Sequence, residues 1–206
     1  MKLKEKIEHA TDFEISFEGE YKWVVFLPSK GNPMIGVPNR YFGCYLDGTI
    51  KERGTETRRH DTPPLFSRVQ NEILQIMAEG DTLNEVRDLM PKVRDKFQGY
   101  KQQLKEGRVP LVDLISTKML SKDSKAYSVE TAETGAIYQL EDESKSMHAG
   151  QVLQYIVTDY YRKNSRRRSI PVELIKDKTT YDHRRYAELL ARTINTVTEP
   201  FGVLLD

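Results

Sequence analysis

The chain has 206 residues, 31% of them charged, and a formal net charge of only +1. That length suits one domain or two small ones and buries roughly 70% of the surface an unfolded chain exposes. The near-neutral total excludes a uniformly basic nucleic-acid coat, so such a partner must be read from local charge clusters; the single cysteine, Cys44, excludes a disulfide framework or a cysteine-built zinc site within the chain.

Residues 2–9 predict a short helix. Phe13, Ile15 and Phe17 alternate with polar residues, the period of a half-buried strand. Residues 21–27, YKWVVFL, predict a buried strand closed by Pro28, and SKGNP has turn chemistry. Residues 40–46 predict a third strand, with Cys44 as a buried thiol, a usage that fits a reducing cytoplasm. Asp47-Gly48 signals a two-residue hairpin turn, returning as a fourth strand over 49–57.

At Asp61-Thr62-Pro63 the pattern changes to helix, with Asp or Thr as the cap and Pro at the first helical position. Leu65, Val69, Ile73, Ile76 and Met77 recur at helical spacing until Gly80. Thr82 and Glu85 have capping-box spacing for a next helix, which Pro91 kinks or breaks. Residues 115–120 predict a strand or extended chain and 128–140 a helix weakened by Gly135. Residues 152–158 predict a β-branched strand, 160–168 a basic loop or hairpin, 170–175 another strand, and Asp182 opens a final helix ended by Pro200 and Gly202. No apolar run is long enough to span a bilayer, and MKLKEKIEH lacks the apolar core of a signal peptide.

Three basic clusters carry the candidate chemistry. The first is Arg40, Lys51, Arg53, Arg58, Arg59 and His60; strands joined at Asp47-Gly48 allow Arg40 and Arg53 to share one face, where planar guanidiniums suit phosphate. On composition alone a solvated face with Glu52 and Glu56 as counter-ions is the favoured reading. The second is Thr117, Lys118, Ser121, Lys122 and Lys125 before Tyr127, a phosphate track or a plain exposed loop. The third is Arg162, Lys163, Arg166, Arg167 and Arg168, a nucleic-acid patch or a solvated turn. His9, His60, His148 and His183 lack metal-ligand spacing, Glu141-Asp142-Glu143 closes a helix, and no phosphate-cradling glycine loop or nucleophile elbow occurs, so no catalytic or metal-ligating residue is expected. Gln154, Val157, Tyr160 and Tyr161 loosely fit a sliding-clamp-binding peptide but read better as strand.

In order, RYFG, DGTIKERGTE and RRHDTPP resemble the end of the palm of archaeal-type family B DNA polymerases, where KKRY and RGxE-xRRDTP segments lie against the duplex. VPLVDLISTKMLSK, Tyr127-Ser128, the 149–156 stretch, SIPVELI and TEPFG resemble the thumb of the same family. The resemblance covers the chain from about residue 13 onward. It implies an α+β fold: a small antiparallel palm-derived sheet over residues 1–60, then a mostly helical thumb with a short β subdomain over 61–206. It implies duplex contacts at Arg40, Tyr41, Arg53, Gly54, Arg59, Asp61, Thr62, Thr117, Lys118, Lys122, Lys125 and Tyr127. Pro38 and Asn39 stand where the family has two lysines, which weakens the grip unless Lys30 or a partner's lysine compensates, and His60 replaces an arginine.

Family members carry a YGDTDS loop upstream of the stretch matched here, and its aspartates help hold two metals for nucleotidyl transfer; Asp12 has no companion for that role. The resemblance therefore implies the small, non-catalytic subunit of a split polymerase. It would be cytoplasmic and nucleoid-associated and inactive alone, with a larger catalytic subunit and primer–template duplex as partners. Mg2+ is expected only in the assembly, a sliding clamp would be reached only through the assembly, and no membrane is involved. A thumb fragment of a single-chain polymerase, distinguished by an in-frame upstream YGDTDS, and a stand-alone duplex-binding protein, distinguished by the lack of a co-purifying catalytic chain, remain open.

Overall fold

The computed structural model describes residues 2–11, 13–16, 18–29, 31–32, 35–59 and 61–206. Asp12, Phe17, Lys30 and His60, and the side chain of Arg58, lie outside the described residues.

After helix α1 (Lys2–Thr11), strands β1 (Tyr21–Pro28), β2 (Gly36–Tyr45) and β3 (Ile50–Arg53) form an antiparallel sheet in the order β1-β2-β3. Period-two alternation sends Trp23, Phe42 and Cys44 inward, and Trp23 Nε1 donates to the Gly80 carbonyl at 2.9 Å, tying sheet to helices. The turn has three residues rather than two: Tyr45 N–H bonds to the Thr49 carbonyl, with Gly48 at φ +87° in the left-handed position such a loop requires. The described part of the 13–17 alternation, residues 13–16, is not a strand. Phe13 is exposed, its described neighbours have no regular structure, and β1 pairs only with β2 among the described residues. The fourth strand stops at Arg53, because Gly54 at φ +66° turns the backbone into a 3-10 turn, Glu56–Arg58.

Helix α2 (Pro64–Met77) begins with Pro63 as the cap residue, not Asp61 or Thr62, and Pro64 takes the first helical position. Thr82 caps α3 (Leu83–Asp88) by accepting from Glu85 N–H, while the Glu85 carboxylate reaches back to Asp81 N–H. Pro91, which has no N–H to donate, separates α3 from α4 (Met90–Lys105).

A second antiparallel sheet, β4 (Ser116–Met119), β5 (Val152–Val157) and β6 (Ser169–Pro171), carries α5 (Ala132–Asp142) against it. The helix starts later than residue 128, at a Thr131–Thr134 capping box, and β6 ends early where Val172–Leu174 winds into a 3-10 turn. The final helix α6 (His183–Thr198), capped by Asp182, packs against α2 and α4. One contiguous core runs from Trp23 and Phe42 through Val69 and Ile73 to Leu190 and Ile194; a smaller cluster of Leu120, Ala136, Ile137, Leu140 and Leu153 lies beneath α5. The buried Tyr186 hydroxyl stitches α6 to the second sheet, donating to the Leu114 carbonyl at 2.8 Å and accepting from Val157 N–H at 3.0 Å. The fold is thus α+β. No helix among the described residues is long and apolar enough to cross a membrane.

Candidate nucleic-acid interface

The β2–β3 register separates the two arginines expected on one face. Tyr41 pairs with Arg53 and Gly43 with Lys51, so Arg53 shares the outward face with Tyr41 and Lys51. Arg40, one residue along β2, takes the opposite face. Its Nε donates to the Gly54 carbonyl at 3.4 Å. Gly54 makes that approach possible: a Cβ there would lie 2.6 Å from the Asn39 carbonyl oxygen and 2.8 Å from Arg40 Cγ. Arg53 is exposed, with no ion pair among the described residues, while Lys51 meets Glu18 at 3.4 Å.

The turn that follows is held by buried polar groups. Thr55 donates to Glu52 at 2.8 Å. Fully buried Gln70 accepts from Thr57 N–H at 3.1 Å and donates to the Thr193 carbonyl at 2.9 Å and to Glu56 at 3.3 Å. Glu52 and Glu56 thus serve the fold as acceptors. This network fixes the platform on which Arg59 and Asp61 form a two-bond pair, Nε to Oδ1 at 2.9 Å and Nη2 to Oδ2 at 2.7 Å. The hydrogen bond from Arg59 holds the Asp61 carboxyl below the usual carboxylate range, and the same bond raises the guanidinium. Asp61 therefore stabilises the fold above the ordinary carboxylate pKa, and that contribution fades as pH falls through its lowered value. With the Arg59 side chain 60% exposed, the pair contributes little stability and leaves the guanidinium available to a ligand.

The structure brings this turn to the β4 segment from more than 50 residues away. A cleft of about 310 Å³ is lined by Arg59, Asp61 and Thr62 on one side and by Ser116 and Tyr155 on the other. Lys118 follows Ser116 on the same strand face, near enough for its charge to add to the lowering of Asp61. Lys118, Lys122 and Lys125 are exposed and form no ion pair among the described residues. Thr117 faces the other way, its hydroxyl accepting from Gln154 at 3.3 Å. Tyr127 packs against the small cluster beneath α5, and its carbonyl accepts from the Tyr138 hydroxyl at 3.2 Å.

The third basic cluster is largely spent inside the fold. Arg168 donates to the carbonyls of Arg162, Glu130 and Lys163, clamping the loop. Arg162 pairs with Asp159 at 2.6 Å, and Arg166 with Asp142 at 3.3 Å over the Tyr138 ring. Lys163 and Arg167 are left exposed without ion pairs among the described residues. Gln154 and Val157 lie in central strand β5, consistent with the strand reading. His148 sits 3.6 Å from Asp123, His183 Nδ1 lies 2.8 Å from the Lys105 carbonyl oxygen, and burial pushes the Cys44 thiol up. Among the described residues no three His, Cys, Asp or Glu gather in a group that could hold a metal ion.

Gln70, Tyr155, Arg185 and Arg192 belong to this region and were not foreseen as site residues. The available signal was a polar Gln70 beside Val69 on an apolar helix face, and two arginines seven residues apart on α6.

Known proteins resemble the chain over nearly its whole length. The chain is 28% identical over 199 residues to DNA polymerase 1 of Saccharolobus solfataricus, covering 95% of this chain and 21% of that protein. It is 24% identical over 211 residues to DNA polymerase 1 of Sulfolobus acidocaldarius, covering 98% and 22%. The family B DNA polymerase from Pyrobaculum calidifontis has the same fold over 99% of this chain and 25% of that one, with a TM-score of 0.71 at 23% identity. The chain thus spans about a fifth of the length of these curated relatives. The sequence profile of DNA polymerase family B matches residues 2–201, and the chain belongs to that family.

Proposed function

We propose that this chain is the non-catalytic small subunit of a split family B DNA-directed DNA polymerase, completing its palm and gripping primer–template duplex with its thumb. The observation that carries the reading is the convergence of Arg59, Asp61 and Thr62 with Ser116 around one cleft, with Lys118 near enough for its charge to act on Asp61 and with Lys122 and Lys125 exposed and without ion pairs among the described residues. Unpaired cations on rigid elements neutralise phosphates with little sequence preference. The outward face of the first sheet supports a partner: Phe26 is half exposed, and the Phe26–Tyr41 and Tyr21–Tyr45 rings lie 5.6 and 4.4 Å apart in an aromatic surface that a larger chain would cover. In this reading Mg2+ and the nucleotidyl-transfer carboxylates belong to that larger chain.

Primer extension tests the division of labour. With Mg2+ and nucleotides the purified chain leaves a primer unextended, and adding the co-purified large subunit restores extension; extension by this chain alone overturns the reading. A second expectation follows from the register. Because Arg40 and Arg53 lie on opposite sheet faces, one of Arg40→Ala and Arg53→Ala weakens duplex binding severalfold while the other leaves it unchanged. Fluorescence anisotropy with a labelled duplex checks this, and equal losses contradict it.

A further inference from the structure

The cleft has a third wall, supplied by α6. Arg185, Leu189, Arg192 and Thr193 follow the spacing of one helical face and line it together. Arg185 is tightly placed: its guanidinium carbon lies 3.7 Å from the Tyr160 ring centre, Nη1 lies 3.3 Å from Glu188, and its side chain is only 14% accessible. Yet its Nε is buried without an acceptor, the one such side-chain nitrogen or oxygen among the described residues. Buried donors are almost always paired, and this one is left without an acceptor on a side chain that lines the cleft. A guanidinium already oriented by stacking, with an N–H to spare, suits a phosphate oxygen.

Arg192 adds a second guanidinium, exposed and without an ion pair among the described residues, and Arg59 a third at the rim. The neighbouring acids are already engaged. Asp61 is held by Arg59, Glu56 by Gln70, and Glu188 by Arg184, Arg185 and the Tyr161 hydroxyl. The volume of about 310 Å³ sits at the small end of ligand clefts, fitting one anionic group rather than a length of polymer.

We infer that this cleft binds a single phosphate group, held by Arg185 and Arg192 and closed by Arg59. The inference rests on the duplex-grip reading for its source, a backbone phosphate of the bound strand; free phosphate offers the same chemistry. The test follows arginine Nε–H resonances of the 15N-labelled full chain, titrated separately with inorganic phosphate and with a short primer–template duplex, in the wild type, Arg192→Ala and Arg185→Lys. Arg192 is exposed, so its alanine variant should fold, and Arg185→Lys keeps the charge while removing the Nε–H. The expected result is that both ligands shift the Arg185 Nε–H resonance and that each variant weakens duplex binding about tenfold. A shift with phosphate alone, lost in Arg192→Ala while duplex affinity is unchanged, keeps the site and assigns it to free phosphate. No shift with either ligand overturns it. Duplex binding with an unmoved Arg185 signal refutes this inference and spares the grip reading, whereas a phosphate response without any duplex binding does the reverse.

Discussion

Gly135→Ala is expected to destabilise the chain by about 3 kcal/mol, lowering its urea midpoint with little change in slope. Gly135 sits inside α5, where glycine is normally a cost, but a Cβ there would come within 2.0 Å of the Ser165 carbonyl oxygen. That carbonyl cannot easily retreat. Ser165 is buried, and its loop is clamped by the Arg168 bonds to backbone carbonyls on both sides. Gly99 provides the control. It lies in α4 with nothing within 4 Å of its Cβ position, so Gly99→Ala should stabilise by up to about 1 kcal/mol. Equal effects at the two sites would show that the α5–loop contact is not tight.

Arg59→Ala is expected to weaken duplex binding about tenfold or more and to reduce the steepness of its salt dependence by about one phosphate. Arg59 joins the turn to the cleft and is exposed on its outer side, while Asp61 fixes its planar fork through two bonds. Arg59→Lys keeps the charge and loses the fork, so it should recover part of the salt dependence but little of the affinity. Stability should change far less than binding, since the pair is largely solvent-exposed. A variant that melts early while binding normally would place Arg59 in the fold rather than the interface. Anisotropy across a salt series, with a parallel urea titration, separates the two.

Features governed by neighbouring residues were legible before the structure. The VVFL run became β1, Thr82 and Glu85 capped α3, Pro91 parted α3 from α4, and Asp182 capped α6, because each depends on contacts within a few residues. Features governed by distant partners were not. The Phe13–Phe17 alternation has the strand period, but no described strand lies beside β1 to receive it. Whether Arg40 and Arg53 share a face turns on a single residue of register, which turn chemistry alone leaves open. The basic run at 162–168 reads as a free patch until α5 and the backbone carbonyls around it are in place. The cleft is the clearest case: Arg59, Ser116 and Arg192 are far apart in the chain, and only the tertiary fold brings them together. Family resemblance pointed to Arg59 and Lys118, whereas Arg185 and Gln70 emerged from burial and hydrogen bonding.

The most direct test of the central claim is the equilibrium affinity of the full chain for primer–template duplex, measured by anisotropy over a range of salt concentrations and with two unrelated sequences. The account predicts binding that weakens linearly in log Kd against log salt, with a slope of about 0.9 for each phosphate neutralised, and nearly equal affinities for the two sequences. Binding that is absent at low salt, or that ignores salt, would contradict it.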